Sequence, residues 1–243
     1  MPIPVEKLVY DTERKLNSLN SGRGEDYRVV DLIAAINEAY EVWFENKVYA
    51  ADTNQKIRND LRQFEIKKKR LPCEKIDCNC CKAKYPDNFY QLLNQTAHAC
   101  NECCEDEKEI IISMVQGDDL QPARKNPYRR GDFFWEQLLG DEAQDGLFVY
   151  HEGGMEVKEV CIDYFRKITH VQAPNLVKCR DGQYRESDGK VINQKVDFEI
   201  DATYANREVT DIAALIKARD TLDLDNYQTQ FQKTLNFNKF HRL

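Results

Sequence analysis

Apolar residues recur at helical spacing towards both ends of this chain and at strand-like spacing between them. Near the start, Val5, Leu8, Val9, Thr12, Leu16 and Leu19 fall on one side of a helix, and Gly22 and Gly24 break the pattern. A longer stripe follows at Val29, Leu32, Ile33, Ile36, Tyr40, Trp43, Phe44 and Val48. Its breadth calls for neighbours on more than one side, from the same chain or from another subunit. Ile57, Leu61 and Phe64 mark a third helical piece that runs on into the more extended "FEIKKKRLP".

From Leu71 to about Ile200 the texture changes to shorter segments divided by turn signals. "KEIIISMV" from Lys108, "DFFWEQLL" from Asp132, "GLFVYHEGG" from Gly146, "MEVKEVCIDYFRK" from Met155 and "KVDFEI" from Lys195 are rich in β-branched and aromatic residues. "QGDD", "NPYRRG" and "GDEAQDG" separate them as loops. Gly153-Gly154 predicts a tight hairpin between "LFVYH" and "MEVKEV", because both glycines accept positive φ. On the second of these strands Val160, Ile162 and Tyr164 form the better-buried face, since Glu159 and Asp163 share the other with Met155, Val157, Cys161 and Phe165.

Past Asp201 the helical period returns, with Val209, Ile212, Ala213, Leu215, Ile216 and Arg219 along one helix and Tyr227, Phe231 and Leu235 along another. The expected fold is α+β, with N- and C-terminal helices packed together around an inserted, mostly antiparallel β domain. Residues 1–66 form the first helical part, 67–200 the β-rich insertion, and 201–243 the helices and arm that complete the helical part.

The 243 residues are 42% hydrophobic and 32% charged, with few glycines and prolines, so the chain folds and is not fibrous. Its formal charge of -7 opposes binding to a phosphate backbone unless basic residues are concentrated. The densest basic runs, "KKKR" from Lys67 and "ARKNPYRR" from Ala123, are short and read as solvated edges. "MPIPVEK" has no signal-peptide pattern and no long uninterrupted apolar run occurs, which points to synthesis in the cytoplasm without a membrane partner. Nine cysteines in such a compartment favour free thiols or metal ligation over a disulfide framework.

Cys73, Cys78, Cys80, Cys81, Cys100, Cys103 and Cys104 are clustered. Cys100 and Cys103 have the spacing of a zinc knuckle, and Cys78 and Cys81 repeat it, although Cys80 crowds between them. Cys78, Cys81, Cys100 and Cys103 are the candidate ligands of a structural zinc, with Cys80, Cys104 or His98 as substitutes. The competing reading is a set of thiols without a metal in turns around Asn79 and Asn101. Four protein ligands would leave no open position, so such a zinc would staple loops together and not catalyse.

No catalytic constellation is present. His151 lacks a nameable partner and nucleophile, and the acidic run from Asp141 to Asp145 lacks the ligand spacing of a calcium loop. Phosphate cradles, nucleophile elbows and zinc-hydrolase helices are missing from the sequence. Tyr40, Trp43 and Phe44 could line a ligand pocket, but at that spacing they read as packing residues, and with the tail aromatics they are candidate oligomer or portal contacts. Phe231, Phe237, Phe240 and Leu243 extend an apolar theme to the C-terminus, suited to docking on a neighbouring subunit.

Four long phrases, "DLIAAINEAYEVWFENKVYAADTNQKIRNDLRQFEIKK", "NPYRRGDFFWEQLLGDEAQDGLFVYHEGG", "EVCIDYFRKITHVQAPNL" and "EVTDIAALIKARDTLDLDNYQTQFQKTL", make the chain resemble the ring, or head-to-tail adaptor, proteins of crAss-like tailed bacteriophages. The resemblance implies a non-enzymatic virion protein, made in the host bacterial cytoplasm. It implies a ring, twelve-fold, stacked below the portal around the DNA exit channel. Its partners would be copies of itself, the portal, neighbouring neck or tail proteins, and packaged DNA passing without sequence recognition. No cofactor is implied, and a zinc at the cysteines would be a local addition. Two other classes stand beside it: a zinc-stabilised protein-binding module without catalysis, and a phage-encoded metal-dependent nuclease, which would need clustered carboxylates.

Overall fold

A computed structural model of the chain describes residues 2–19, 27–51, 54–101, 107–151, 154–174, 194–200 and 203–219. It divides into two units, 1–63 with 168–243, and 64–167. Helices α1 (Val5–Leu19), α2 (Val29–Ala51), α3 (Gln55–Asp60) and α5 (Thr203–Arg219) belong to the first. The second holds α4 (Gly117–Lys125) and strands β1 (Glu65–Asp77), β2 (Cys80–Lys84), β3 (Phe89–Asn101), β4 (Glu107–Met114), β5 (Gln137–Ala143), β6 (Gly146–Tyr150) and β7 (Met155–Arg166). The arrangement is α+β: terminal helices pack on one another, and a largely antiparallel β domain is inserted between them in sequence.

In the helical unit α1 and α2 both pack against α5. The stripes expected from periodicity supply the contact: Val5, Leu8, Val9, Thr12 and Leu16 of α1 are buried, as are Leu32, Ile33, Ile36 and Val48 of α2 and Val209, Ile212, Ala213, Leu215 and Ile216 of α5. Tyr40, Trp43 and Phe44 are also buried inside this unit, where Tyr40 meets Phe198 edge-on at 4.7 Å between ring centroids. This corrects their reading as subunit or portal contacts, because side chains enclosed in a core present no surface to another molecule. Phe231, Phe237, Phe240 and Leu243 lie outside the described residues.

Polar groups close the helical unit. Trp43 Nε1 donates to Glu208 Oε2 at 2.7 Å, and Lys47 Nζ stands 3.1 Å from the same oxygen. Asp197 Oδ1 accepts from the backbone N of Val5, satisfying one of the free N–H groups at the start of α1. Asn37 exchanges two hydrogen bonds with the backbone of Val171. The segment around "KVDFEI", expected as a strand of the β domain, contributes only single bridges, Ile3 with Phe198 and Gln172 with Val196, and belongs to the helical unit.

The inserted unit is a closed barrel in the order β1-β2-β6-β5-β4-β3-β7. Every neighbouring pair is antiparallel except β4 and β5, which are parallel. Leu71, Ala83, Ala97, Ala99, Ile110, Ile112, Leu138, Leu147, Val149, Val160 and Ile162 fill its interior. Three expectations change here. Strands β6 and β7 are not partners, since β2 and β1 stand between them in the barrel order, so Gly154 does not serve a hairpin; Gly153 lies outside the described residues. "DFFWEQLL" is not one strand, because 133–136 form a turn and β5 begins at Gln137. Finally, "QGDD" opens helix α4, which links the parallel pair and packs Leu120 and Ala123 against Leu139 and Tyr150.

Candidate functional site

The connection from α4 to β5, "NPYRRGDFFWE" at 126–136, carries the largest exposed aromatic side chains of the barrel. Tyr128 is 84% exposed, Phe134 80% and Trp135 74%. Arg129 and Arg130 between them are exposed as well. Isolated exposed apolar residues are ordinary, whereas three large aromatics and two arginines on one short connection have the composition of a protein-binding hot spot.

The loop is built to hold that shape. Asn126 begins it with an Asx turn, its Oδ1 accepting from Tyr128 N at 3.0 Å while its carbonyl accepts from the backbone N of Arg129 and Arg130 at 3.0 Å each. Asp132 repeats the device: Oδ1 accepts from Phe134 N at 2.8 Å and Trp135 N at 3.2 Å. The Asp132 and Gln137 backbones exchange two hydrogen bonds, which close the turn at its base. Phe133 points inward to the barrel core, so its neighbours Phe134 and Trp135 are turned out.

Two further contacts fix the loop to the barrel wall. A Cβ on Gly131 would lie 2.6 Å from the Tyr150 carbonyl oxygen, so only glycine allows the loop to approach β6 so closely. Lys108 of β4 pairs with Glu136 at 2.9 Å and sits over the Phe133 ring. Glu136 itself takes φ 53°, a left-handed turn that ends the aromatic run before β5. Aromatics held this way lose little conformational freedom on docking.

The cysteines are arranged differently from the expected zinc quartet. The "PCEKIDCNCC" run forms the β1–β2 hairpin, with Cys78 exposed in its turn. Strand alternation sends Cys81 into the barrel, where it is joined to Cys73 by a disulfide with a Cα–Cα distance of 5.7 Å. Cys80 is buried beside Tyr150, and burial, followed by the charge of Asp77, pushes its thiol pKa up. Tyr150 is also pushed up, first by burial and then by Cys80. A raised pKa makes Cys80 a packed thiol with little nucleophilic character.

Cys100 on β3 is half-buried, its Sγ 3.8 Å from Glu156 Oε2, and Cys103 lies outside the described residues. Cys81 is therefore committed to Cys73 and not available as a thiolate beside Cys78. Among the described residues no group of three or more His, Cys, Asp or Glu side chains gathers as for a metal ion. Topology does bring both cysteine runs to one rim: β3 ends at Asn101 opposite Met155, and β1 passes Glu159 on its way to the turn at Cys78, both heading past the start of β7. His151 is buried near that rim, its backbone N donating to Asn79 O at 3.0 Å.

The sequence pattern divides the aromatic loop between a turn signal, "NPYRRG", and an expected strand, "DFFWEQLL". The available signal was three consecutive aromatics, "FFW", directly after a loop sequence. A strand with one buried face alternates, and three bulky residues in a row cannot all face a core.

No helix of the described residues is long and apolar enough to cross a membrane. Compared with known proteins, the chain matches no family model, and no curated protein matches it.

Proposed function

We propose that this chain is a non-catalytic structural protein of a tailed bacteriophage virion, a ring-forming head-to-tail adaptor stacked below the portal around the DNA exit channel. The observation that carries this reading is the fixed, exposed loop bearing Tyr128, Arg129, Arg130, Phe134 and Trp135. Such a surface is costly to leave in water and suited to permanent contact. The net charge of -7 fits a channel through which DNA slides without sticking. The resemblance of its four long phrases to crAss-like phage adaptors points the same way. The partners are copies of the chain in a ring, twelve-fold, the portal above, and neighbouring neck or tail proteins. The tail residues Phe237, Phe240 and Leu243 remain candidate docking groups on the sequence pattern alone.

The test is cryo-electron microscopy of tailed particles that contain the chain, with symmetry released about the tail axis. The expected result is a ring of copies against the portal or another neck ring. Absence of the chain from the neck would overturn the reading.

A zinc-stabilised binding module is the second reading, favoured by the convergence of Cys78 and Cys100 on one barrel rim. Native mass spectrometry of the reduced protein decides it: one zinc per chain, lost on replacing Cys78 and Cys100 by serine, would support this reading.

A further inference from the structure

We infer that the aromatic and arginine loop of one copy seats on the outer face of α2 of the next copy. The inference rests on the assembly reading above and names its contact. On α2, Ala34, Glu38, Glu41, Glu45 and Tyr49 are exposed, while the opposite face is core. At about 100° per residue, Glu45 and Tyr49 each lie within about 20° of Glu38 and so within about 40° of one another, and Glu41 flanks them. Tyr49 is 90% exposed, so the row of carboxylates ends in an aromatic left in water. Glu41 is partly engaged by His170 at 2.8 Å, which leaves Glu38 and Glu45 as the principal carboxylates of the row.

The two surfaces are complementary in charge and alike in aromatic character. Arg129 and Arg130 meet Glu38 and Glu45, with about 10 Å between the two carboxylate positions along the helix. Tyr128, Phe134 and Trp135 gain apolar contact with the Tyr49 end. Neither patch suits its own copy, because arginine would face arginine and glutamate would face glutamate. The two patches lie on different elements, so the contact can repeat head to tail into the ring that the adaptor reading requires, whereas two such contacts made reciprocally would close a two-fold dimer. The barrel has no free sheet edge at which strands could add, so its outward contacts fall to its loops.

The experiment uses two charge-reversed full-length chains, R129E/R130E and E38R/E45R, studied by sedimentation velocity alone and in equal mixture. Unchanged circular dichroism establishes that each folds. Each variant alone is expected to associate at least about tenfold more weakly than the native chain, because like charges now oppose at the contact. The mixture is expected to associate again, with the two variants alternating, since every junction then joins opposite charges. Trp135→Ala, which leaves the charges in place, is expected to weaken association as well. A native chain that stays monomeric, reversals that leave association unchanged, or a mixture that fails to recover would each overturn the pairing. If the native chain associates but the charges do not matter, the pairing fails and the adaptor reading stands, since particle imaging decides that reading independently.

Discussion

At the scale of single residues, Glu208 of α5 concentrates more of the helical unit's polar chemistry than any stripe position. Its carboxylate receives the Trp43 indole N–H and faces the buried ammonium of Lys47, which also lies 5.4 Å from the Trp43 ring centroid. Glu208→Gln keeps an acceptor for Trp43 and removes the negative charge beside Lys47. The desolvation of Lys47 is then less well offset, and the expected loss is about 2 kcal/mol, read by urea unfolding. Adding Lys47→Met should recover more than half of it, because the charge that needed a counterpart is gone. A single variant as stable as the native chain would mean that Lys47 is compensated by water. The sequence displayed Trp43 only as an apolar stripe member, since a periodicity has no means of pairing it with a glutamate so far along the chain.

At the scale of elements, the helices were legible because one face of each is apolar over several turns, and α1, α2 and α5 appear where their stripes run. The strands were legible only in part. On β7 the pairing with β3 skips a residue between His98 and Ala99, opposite Glu159 and Val157, so Lys158 is a bulge. Met155 and Val157 therefore face the core before it, and Val160, Ile162 and Tyr164 after it. An alternation read without the bulge assigns one end of the strand to the wrong face. Helix α4 was hidden by Gly117 and Pro122, residues that usually mark loops. The hairpin expected at Gly153-Gly154 failed because turn chemistry constrains a local bend and not which strands become neighbours.

The β1–β2 hairpin also carries the disulfide that composition argued against. Cys73 and Cys81 sit diagonally across the pair, Cys73 opposite Ala83 and Cys81 opposite Lys75, and both face the barrel interior. Closing so short a loop limits the unfolded chain and stabilises the barrel by about 2 kcal/mol. Reduction, or Cys73→Ser, should therefore lower the barrel's unfolding midpoint. Amide exchange should quicken in β1 and β2 and stay unchanged in α1 and α5. Equal protection in oxidised and reduced protein would show that the bridge adds nothing.

At the scale of the whole molecule, the chain enters and leaves the barrel at one place. Glu65 at the start of β1 is the register partner of Phe165 near the end of β7, which sets their Cα atoms about 5 Å apart. A barrel whose ends meet can be inserted between helices without stretching them, and its closure leaves no strand edge for intermolecular pairing. The interior residues from Leu71 to Tyr164 all belong to the continuous segment 64–167, whereas the helical unit needs both flanking segments. The segment 64–167 expressed alone is thus expected to give a strand-type circular dichroism spectrum and one cooperative thermal transition, with its Cys73–Cys81 bridge formed. It carries the aromatic loop but lacks α2, so it should remain monomeric while the full chain associates. A fragment that melts without cooperativity would make the barrel dependent on the helical unit, and a fragment that self-associates like the full chain would place the assembly contact wholly within the barrel.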